Sequence, residues 1–224
     1  DVKNVPTRGQ EGLVGDDGKT HHGVLSVPML MSIPNLTLLA PRDTRQIRQA
    51  VRATLKLDGP CVVQYPKEGI EPYAQNVTGE PFTVGKWQTL IPGGQDAVIL
   101  AYGRMTQNAI QASELLVQRG LSVGVIDCCS LKPLDMDCLR ALFERRAKIV
   151  TIEEGEMIGG FGSEIARVCV EENADAPVQI IGLENRFITH GSVPELLREC
   201  GLMPEQLANR IEEIAGDKES SHVG

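Results

Sequence analysis

The segment Gly15-Asp-Asp-Gly-Lys-Thr-His-His-Gly23 crowds two carboxylates and two imidazoles into one glycine-rich stretch. Such a loop can bring Asp17 and His21 to a common pocket. There a carboxylate can orient a hydroxylated substrate, and an imidazole can donate to an oxyanion or relay a proton near neutral pH. The same residue types also suit a hydrated surface loop or an adventitious metal site, so residue types alone leave these readings open.

Other clusters carry weaker signals. Gly159-Gly-Phe-Gly162 stands before a helical pattern and could cradle an anion, but a packing turn is the preferred reading because lone glycine patterns are common. Glu153, Glu154 and Glu156 end a strand beside it; they could form a metal site, and solvated or dimer-contact carboxylates are preferred. His190 is read as a satisfied, buried imidazole at a turn. Cys61, Cys128, Cys129, Cys138, Cys169 and Cys200 include no C-x-x-C pair with matching histidines, and four of them lie in apolar stretches. Reduced, buried thiols are expected, with Cys128 and Cys129 on opposite faces of one strand.

The elements that must position these residues follow from hydrophobic spacing. Residues 1 to 23 read as loop, and Val27 to Ile33 as one or two helical turns ending at Pro34. Leu36 to Pro41 suits a buried strand. Asp43 or Thr44 then caps a helix with Ile47, Ala50, Val51 and Leu55 at helical spacing, and Cys61 to Pro66 forms a second strand. Strand, helix and strand with short links predict a right-handed parallel crossover. Residues 67 to 94 are rich in proline and glycine, which suits a linker with a short edge strand near Thr83 to Gly85. From Asp96 onward, strands at 97–102, 123–126, 149–152 and 178–181 alternate with helices at 105–119, 136–145, 163–172, 192–200 and 204–214. That alternation predicts a mostly parallel sheet covered on both faces.

A 42% hydrophobic content over 224 residues supports a globular core, and with only 4% aromatics that core should rest on Val, Ile, Leu, Ala and Met. With 22 basic against 30 acidic residues, the formal charge of -8 argues against nucleic acid as a partner. No run approaches the roughly 18 apolar residues of a membrane span. Asp1 to Gln10 lacks the basic-then-apolar pattern of a secretion signal, so a cytoplasmic protein without a membrane partner is expected. The start has no Met and no clear first strand, and reads as a cut or redesigned beginning.

The stretch Glu11-Gly-Leu-Val-Gly-Asp-Asp-Gly-Lys-Thr-His-His-Gly23 resembles the pattern R-A-G-x-V-G-x-D-G-x-T-H-x-G of the 1-deoxy-D-xylulose-5-phosphate synthase family, which is transketolase-like and depends on thiamine diphosphate. Ser32-Ile-Pro34, Ala40-Pro-Arg-Asp43, Asp58-Gly-Pro60, Tyr65-Pro66, Leu131-Lys-Pro-Leu-Asp135, Glu153-Glu154, Gly159-Gly-Phe-Gly162 and His190-Gly191 follow in family order, so the resemblance covers about residues 11 to 214. It implies an α/β chain in two units. Residues 1–73 would be the C-terminal half of a pyrimidine-binding domain, 74–94 a linker, 95–215 a transketolase C-terminal domain, and 216–224 a disordered tail.

The resemblance further implies that Asp17 holds substrate hydroxyls, that His21 stands near the reacting carbon, and that Lys67 faces the acceptor's phosphate. His22 falls on a variable position of the motif and receives no role. Gln10 and Gln64 replace family arginines, which should weaken binding of a phosphorylated aldehyde. The implied reaction condenses pyruvate with glyceraldehyde 3-phosphate, releases CO2 and feeds isoprenoid and thiamine biosynthesis. Thiamine diphosphate and Mg2+ would serve the complete enzyme. Their diphosphate-binding domain is not found in this sequence, so the chain alone is expected to bind neither and to be inactive, and no metal residue is assigned. Homodimerisation, or a partner chain carrying that domain, is expected. Rival readings are the C-terminal section of a split transketolase, a 2-oxo acid dehydrogenase beta-type subunit, or a non-catalytic dimerisation module; the L-K-P-L-D and T-H-H-G wording favours the synthase.

Overall fold

The computed structural model describes residues 7–8, 12–67 and 82–216; Gln10, residues 68–81 of the expected linker region, and the tail after Gly216 lie outside the described residues. The first unit contains β1 (Thr7–Arg8), a 3-10 turn at Gly15–Asp17, α1 (Ser26–Met31), β2 (Thr37–Leu39), α2 (Thr44–Thr54) and β3 (Cys61–Gln64). Strands β1, β3 and β2 pair in parallel, as the crossover expectation requires for β2 and β3. Asp43 has extended backbone and accepts the Gln46 N–H at 2.7 Å, which caps α2. Ala50 faces the sheet. Leu55 lies just beyond the helix and is 63% exposed, so the apolar stripe ends one residue group earlier than its spacing suggested.

The second unit holds β4 (Gln88–Ile91), β5 (Ala97–Ala101), α3 (Met105–Gln118), β6 (Val123–Asp127), β7 (Ser130–Lys132), α4 (Met136–Glu144), β8 (Ile149–Glu156), α5 (Phe161–Glu171), β9 (Val178–Leu183), α6 (Val193–Glu199) and α7 (Pro204–Gly216). Its sheet runs β4-β6-β5-β8-β9, parallel except for antiparallel β4 at the edge. Helices α3, α6 and α7 bury one face of it, and α4 and α5 the other. Such a sheet, covered on both sides, explains why β5 and β6 are continuous apolar runs.

Three local expectations change. The edge strand of the 67–94 stretch is Gln88–Ile91, not Thr83–Gly85. Residues 83–86 instead form a turn, with Lys86 N–H on Thr83 O at 3.1 Å and Gly85 N–H on Ser130 Oγ at 3.0 Å, and this turn delivers Trp87 into the core. Cys128 and Cys129 do not share a strand. They form the link between β6 and β7, both buried, and burial pushes both thiols well up. All six cysteines are free, and four are buried. Finally, the large buried side chains include Tyr102 and Phe161, so the few aromatics contribute more to the core than their number suggested. Phe161 meets Trp87 and Tyr102 edge-on at 6.0 and 5.6 Å.

Those aromatics sit where the two units meet. One apolar cluster runs from Leu36, Leu38 and Val62 of the first unit into Leu100, Leu131, Phe161 and Ile165 of the second. Strand β7 belongs to the second unit in sequence but pairs antiparallel with β2, extending the first sheet. Lys132 Nζ then donates to Met31 O at 2.8 Å and Ile33 O at 2.6 Å, tying down the end of α1. Trp87 Nε1 donates to Ser130 O at 2.8 Å. At the same seam, Arg42 pairs with the wholly buried Asp127, to which Gln46 Nε2 also donates at 2.6 Å. Burial pushes the Asp127 carboxyl up, and the charge of Arg42 draws it back down. Among the described residues no helix is long and apolar enough to cross a membrane.

Removing one member of a buried ion pair strands the other charge. Asp127→Ala is expected to lower the unfolding free energy by about 3–5 kcal/mol in urea titrations. The double change Arg42→Met with Asp127→Leu should cost clearly less, because no charge is then left in the core.

Candidate functional site

The glycine-rich stretch forms a loop closed at its neck. Gly23 N–H donates to Gly12 O at 2.7 Å, and the two residues form an isolated antiparallel bridge. Inside the neck, the N–H groups of His21 and His22 both turn back to Gly18 O, at 3.0 and 3.2 Å. The root of the loop is held by the second unit. Leu13 N–H donates to Glu154 Oε1 at 2.8 Å, and the same oxygen accepts from Arg104 at 3.1 Å. Gly12 explains the closeness: its φ is +64°, and a Cβ there would lie 2.4 Å from the Glu154 carboxyl carbon.

At the tip, Asp17 and Lys67 form an ion pair across the 50 residues that separate them. The Lys67 hydrogen bond, and then its charge, hold the Asp17 carboxyl below the usual range; His21 and His22 lie near enough to add to this. Both partners are substantially exposed, with side-chain exposures of 54% for Lys67 and 40% for Asp17. His21 is also exposed, and its Nδ1 lies 2.9 Å from Thr20 Oγ1. Of the residues singled out from the sequence, Asp17 and Lys67 therefore touch on an open surface, and His21 is exposed on the same loop, near enough for its charge to reach Asp17.

His22 was given no role from the sequence, yet it is the better-anchored imidazole. Its Nδ1 accepts the Val14 N–H at 3.1 Å, and its Nε2 lies 3.0 Å from Thr189 O in the connection between β9 and α6. Nothing in the spacing of the motif pointed to a partner 167 residues away. His190 stands beside this contact and is exposed rather than buried. Its Cβ packs 3.4 Å from where a side chain on Gly18 would begin, so its segment serves the loop through backbone and packing.

The acidic triplet also departs from expectation. Strand β8 continues through it to Glu156, and all three carboxylates are buried rather than solvated. Glu153 accepts the N–H groups of Phe161 and Gly162, each at 2.9 Å, at the start of α5. The N–H groups at this helix terminus are therefore already taken by the protein's own Glu153 side chain. The glycines pack as expected of a tight turn, since a Cβ on Gly162 would strike Thr151 Oγ1 at 2.4 Å. Gln64, which the resemblance sets where the family has an arginine, is fully buried at the end of β3.

Two family models match the chain: the transketolase pyrimidine-binding domain over residues 5–71 and the transketolase C-terminal domain over 85–207. Among curated relatives, a 1-deoxy-D-xylulose-5-phosphate synthase of Thermus thermophilus is 38% identical over 94% of this chain and 33% of its own length. The synthase of Bacillus velezensis is 36% identical over 95% of this chain and 34% of its own length. The chain thus spans about a third of the length of the curated relatives it matches. A solved structure described as a split gene transketolase, inactive beta4 tetramer, superposes with a TM-score of 0.80 at 28% identity, covering 93% of this chain and 65% of that one. A transketolase from Pichia stipitis shares the fold, with a TM-score of 0.71 at 19% identity over 94% of this chain and 29% of that one.

Burial raises the Glu153 carboxyl to about 8, against the two N–H groups and the Tyr102 hydroxyl that favour its charged form. A carboxyl raised on folding holds its proton longer in the native state. Its contribution to stability is therefore full below the ordinary carboxylate range and is lost as pH climbs through about 8. The stability difference between wild type and the non-titrating Glu153→Gln should accordingly shift against wild type between about pH 5 and 8.5. Denaturant titrations at each pH check this; a flat difference would show that Glu153 is already ionised throughout.

Proposed function

The chain belongs to the transketolase family, and on that premise we propose that it forms the C-terminal portion of a thiamine-diphosphate-dependent transferase that joins pyruvate to glyceraldehyde 3-phosphate with loss of CO2. The observation that carries this reading is the pairing of Lys67 with Asp17 on the loop that also presents His21. In this reading Asp17 accepts hydrogen bonds from the sugar hydroxyls of the acceptor. His21 donates to the oxygen on which negative charge develops, and Lys67 turns from Asp17 to the acceptor's phosphate. A lone lysine does this as a point charge, without the fork that an arginine at the place of Gln64 would supply.

In the complete enzyme, thiamine diphosphate would be held together with a divalent cation. Among the described residues no group of three His, Cys, Asp or Glu side chains is arranged to hold one. The part we assign to this chain is confined to three of its own side chains, Asp17, His21 and Lys67. We propose that a diphosphate-binding domain supplies the anchor, in a homodimer or from a partner chain, and that this chain alone is inactive. The split-gene neighbour supports a second arrangement, in which a unit of this kind is a separate chain of a transketolase with a ketose phosphate as donor.

In the complete enzyme, Lys67→Met is expected to raise KM for the phosphorylated aldehyde by about 10–100-fold, the worth of one charge-assisted hydrogen bond, with little change in KM for pyruvate. Asp17→Ala and His21→Ala should lower kcat instead. Absence of pyruvate-dependent CO2 release would refute the synthase reading, and CO2-free turnover of ketose phosphates would establish the alternative. For the isolated chain, a thermal-shift titration with thiamine diphosphate and Mg2+ is expected to show no change in midpoint; a large rise would place the cofactor anchor in this chain.

A further inference from the structure

Both hydrogen-bond partners of the His22 ring are main-chain groups, and neither can exchange its role. The Val14 N–H can only donate, so Nδ1 must carry a lone pair; Thr189 O can only accept, so Nε2 must carry the proton. The two contacts together admit a single species, the neutral imidazole protonated at Nε2. Protonation would put a hydrogen on Nδ1 directly against the Val14 N–H, replacing a bond with two opposed donors.

We infer that His22 is the positioning residue of the loop that carries Asp17 and His21, and that it docks this loop on the connection between β9 and α6 only while its ring is neutral. The loop has its root at Leu13, held by Glu154, and its closed neck at Gly12 and Gly23. To these, the His22 ring adds a hydrogen bond from the loop's far half to the 184–192 connection.

Behind the ring lies a cavity of about 180 Å³ lined by Val24, Leu25, Phe187 and Ile188 together with Lys19, Glu156 and Arg186. The charged groups facing the ring come from three sides. Lys19 and Asp17 lie on the loop itself, Glu156 ends β8, and Arg186 belongs to the connection, pairing with Glu184 of that connection at 3.5 Å and with Glu199 at the end of α6 at 3.0 Å. His190 packs against the loop at Gly18. The nearby charges are thus mixed in sign, and undocking follows from the lost lone pair rather than from an electrostatic repulsion.

Glutamine can reproduce the docked arrangement without titrating: its side-chain oxygen accepts from Val14 and its amide donates to Thr189. Leucine fills similar space and makes neither bond. The experiment uses the 224-residue chain and amide hydrogen exchange, corrected for intrinsic rates, with imidazole nitrogen NMR to read the tautomer. In wild type, His22 should show the Nε2–H pattern, and protection of the Val14 amide should fall at least about 10-fold in acid strong enough to charge the ring, which the same NMR spectra report. His22→Gln should keep that protection at every pH, and His22→Leu should lack it at every pH. An Nδ1–H ring, full protection in His22→Leu, or the same pH-dependent loss in His22→Gln and wild type would each overturn the inference.

The catalytic consequence rests on the reading of Asp17 and His21 given above, and a second measurement separates the two. In the complete enzyme His22→Leu should lower kcat at least about 10-fold and His22→Gln should restore it. A loosened loop with undiminished turnover would uphold the docking role of His22 and refute the assignment of Asp17 and His21.

Discussion

The carboxylate of Glu154 is the point on which the site's geometry depends. It is buried at the carboxyl end of a central strand, takes the Leu13 N–H and the Arg104 guanidinium on one oxygen, and leaves no room for a side chain at Gly12. A charge in such a place is tolerable only if paired and hydrogen-bonded, so its partners are held as firmly as it is. The loop of the first unit consequently takes its position from the second. Any motion that separated the units would strand a buried carboxylate before it moved Asp17 or His21 by much.

The seam between the units follows the same logic on a larger scale. Strand β7 leaves the second unit to pair with β2, and the linking segment lays Trp87 into the cluster that both units share. Arg42 and Asp127 close the seam from inside. Two domains with a small polar interface would be expected to move against each other. Here one apolar cluster, a shared sheet edge, the buried Arg42–Asp127 pair and the Leu13–Glu154 hydrogen bond make the first unit an extension of the second, which is what a short three-stranded parallel layer needs to be stable.

Most of the architecture was legible because it depends on local patterns. The helices from α2 to α7 followed from apolar spacing and, for α2, from the cap at Asp43, and β5, β6 and β9 from compact apolar runs. What escaped depended on distant partners. Strand β7 is three residues long and exists because β2 offers an edge; the acidic end of β8 looks solvated until Phe161 and Gly162 turn their N–H groups toward it. The site divides in the same way. Asp17, His21 and Lys67 could be named from residue types and family order, and the structure brings Asp17 and Lys67 into contact. His22 could not, since its meaning lies in Thr189, and a motif position that varies carries no signal about a bond to so distant a carbonyl.

The exposure of the Asp17–Lys67 pair bears on how such a surface could act. An ion pair open to water contributes little, because solvent screens it and competes for each partner. The same weakness makes the pair easy to exchange: Lys67 can leave Asp17 for another anion at little cost, and Asp17 can accept hydroxyl donors once Lys67 has moved. Strong selective stabilisation of developing charge requires the opposite environment, dry and preorganised. On the proposed reading, covering this surface with a second wall would supply that environment, converting a weak pair into two separate and stronger contacts. The loop is suited to that task because its exposed tip can move only as far as its two anchors allow, Glu154 at the root and His22 at the shoulder. On the proposed reading, a firm frame carrying a solvent-exposed pair is what one wall of a two-walled pocket requires.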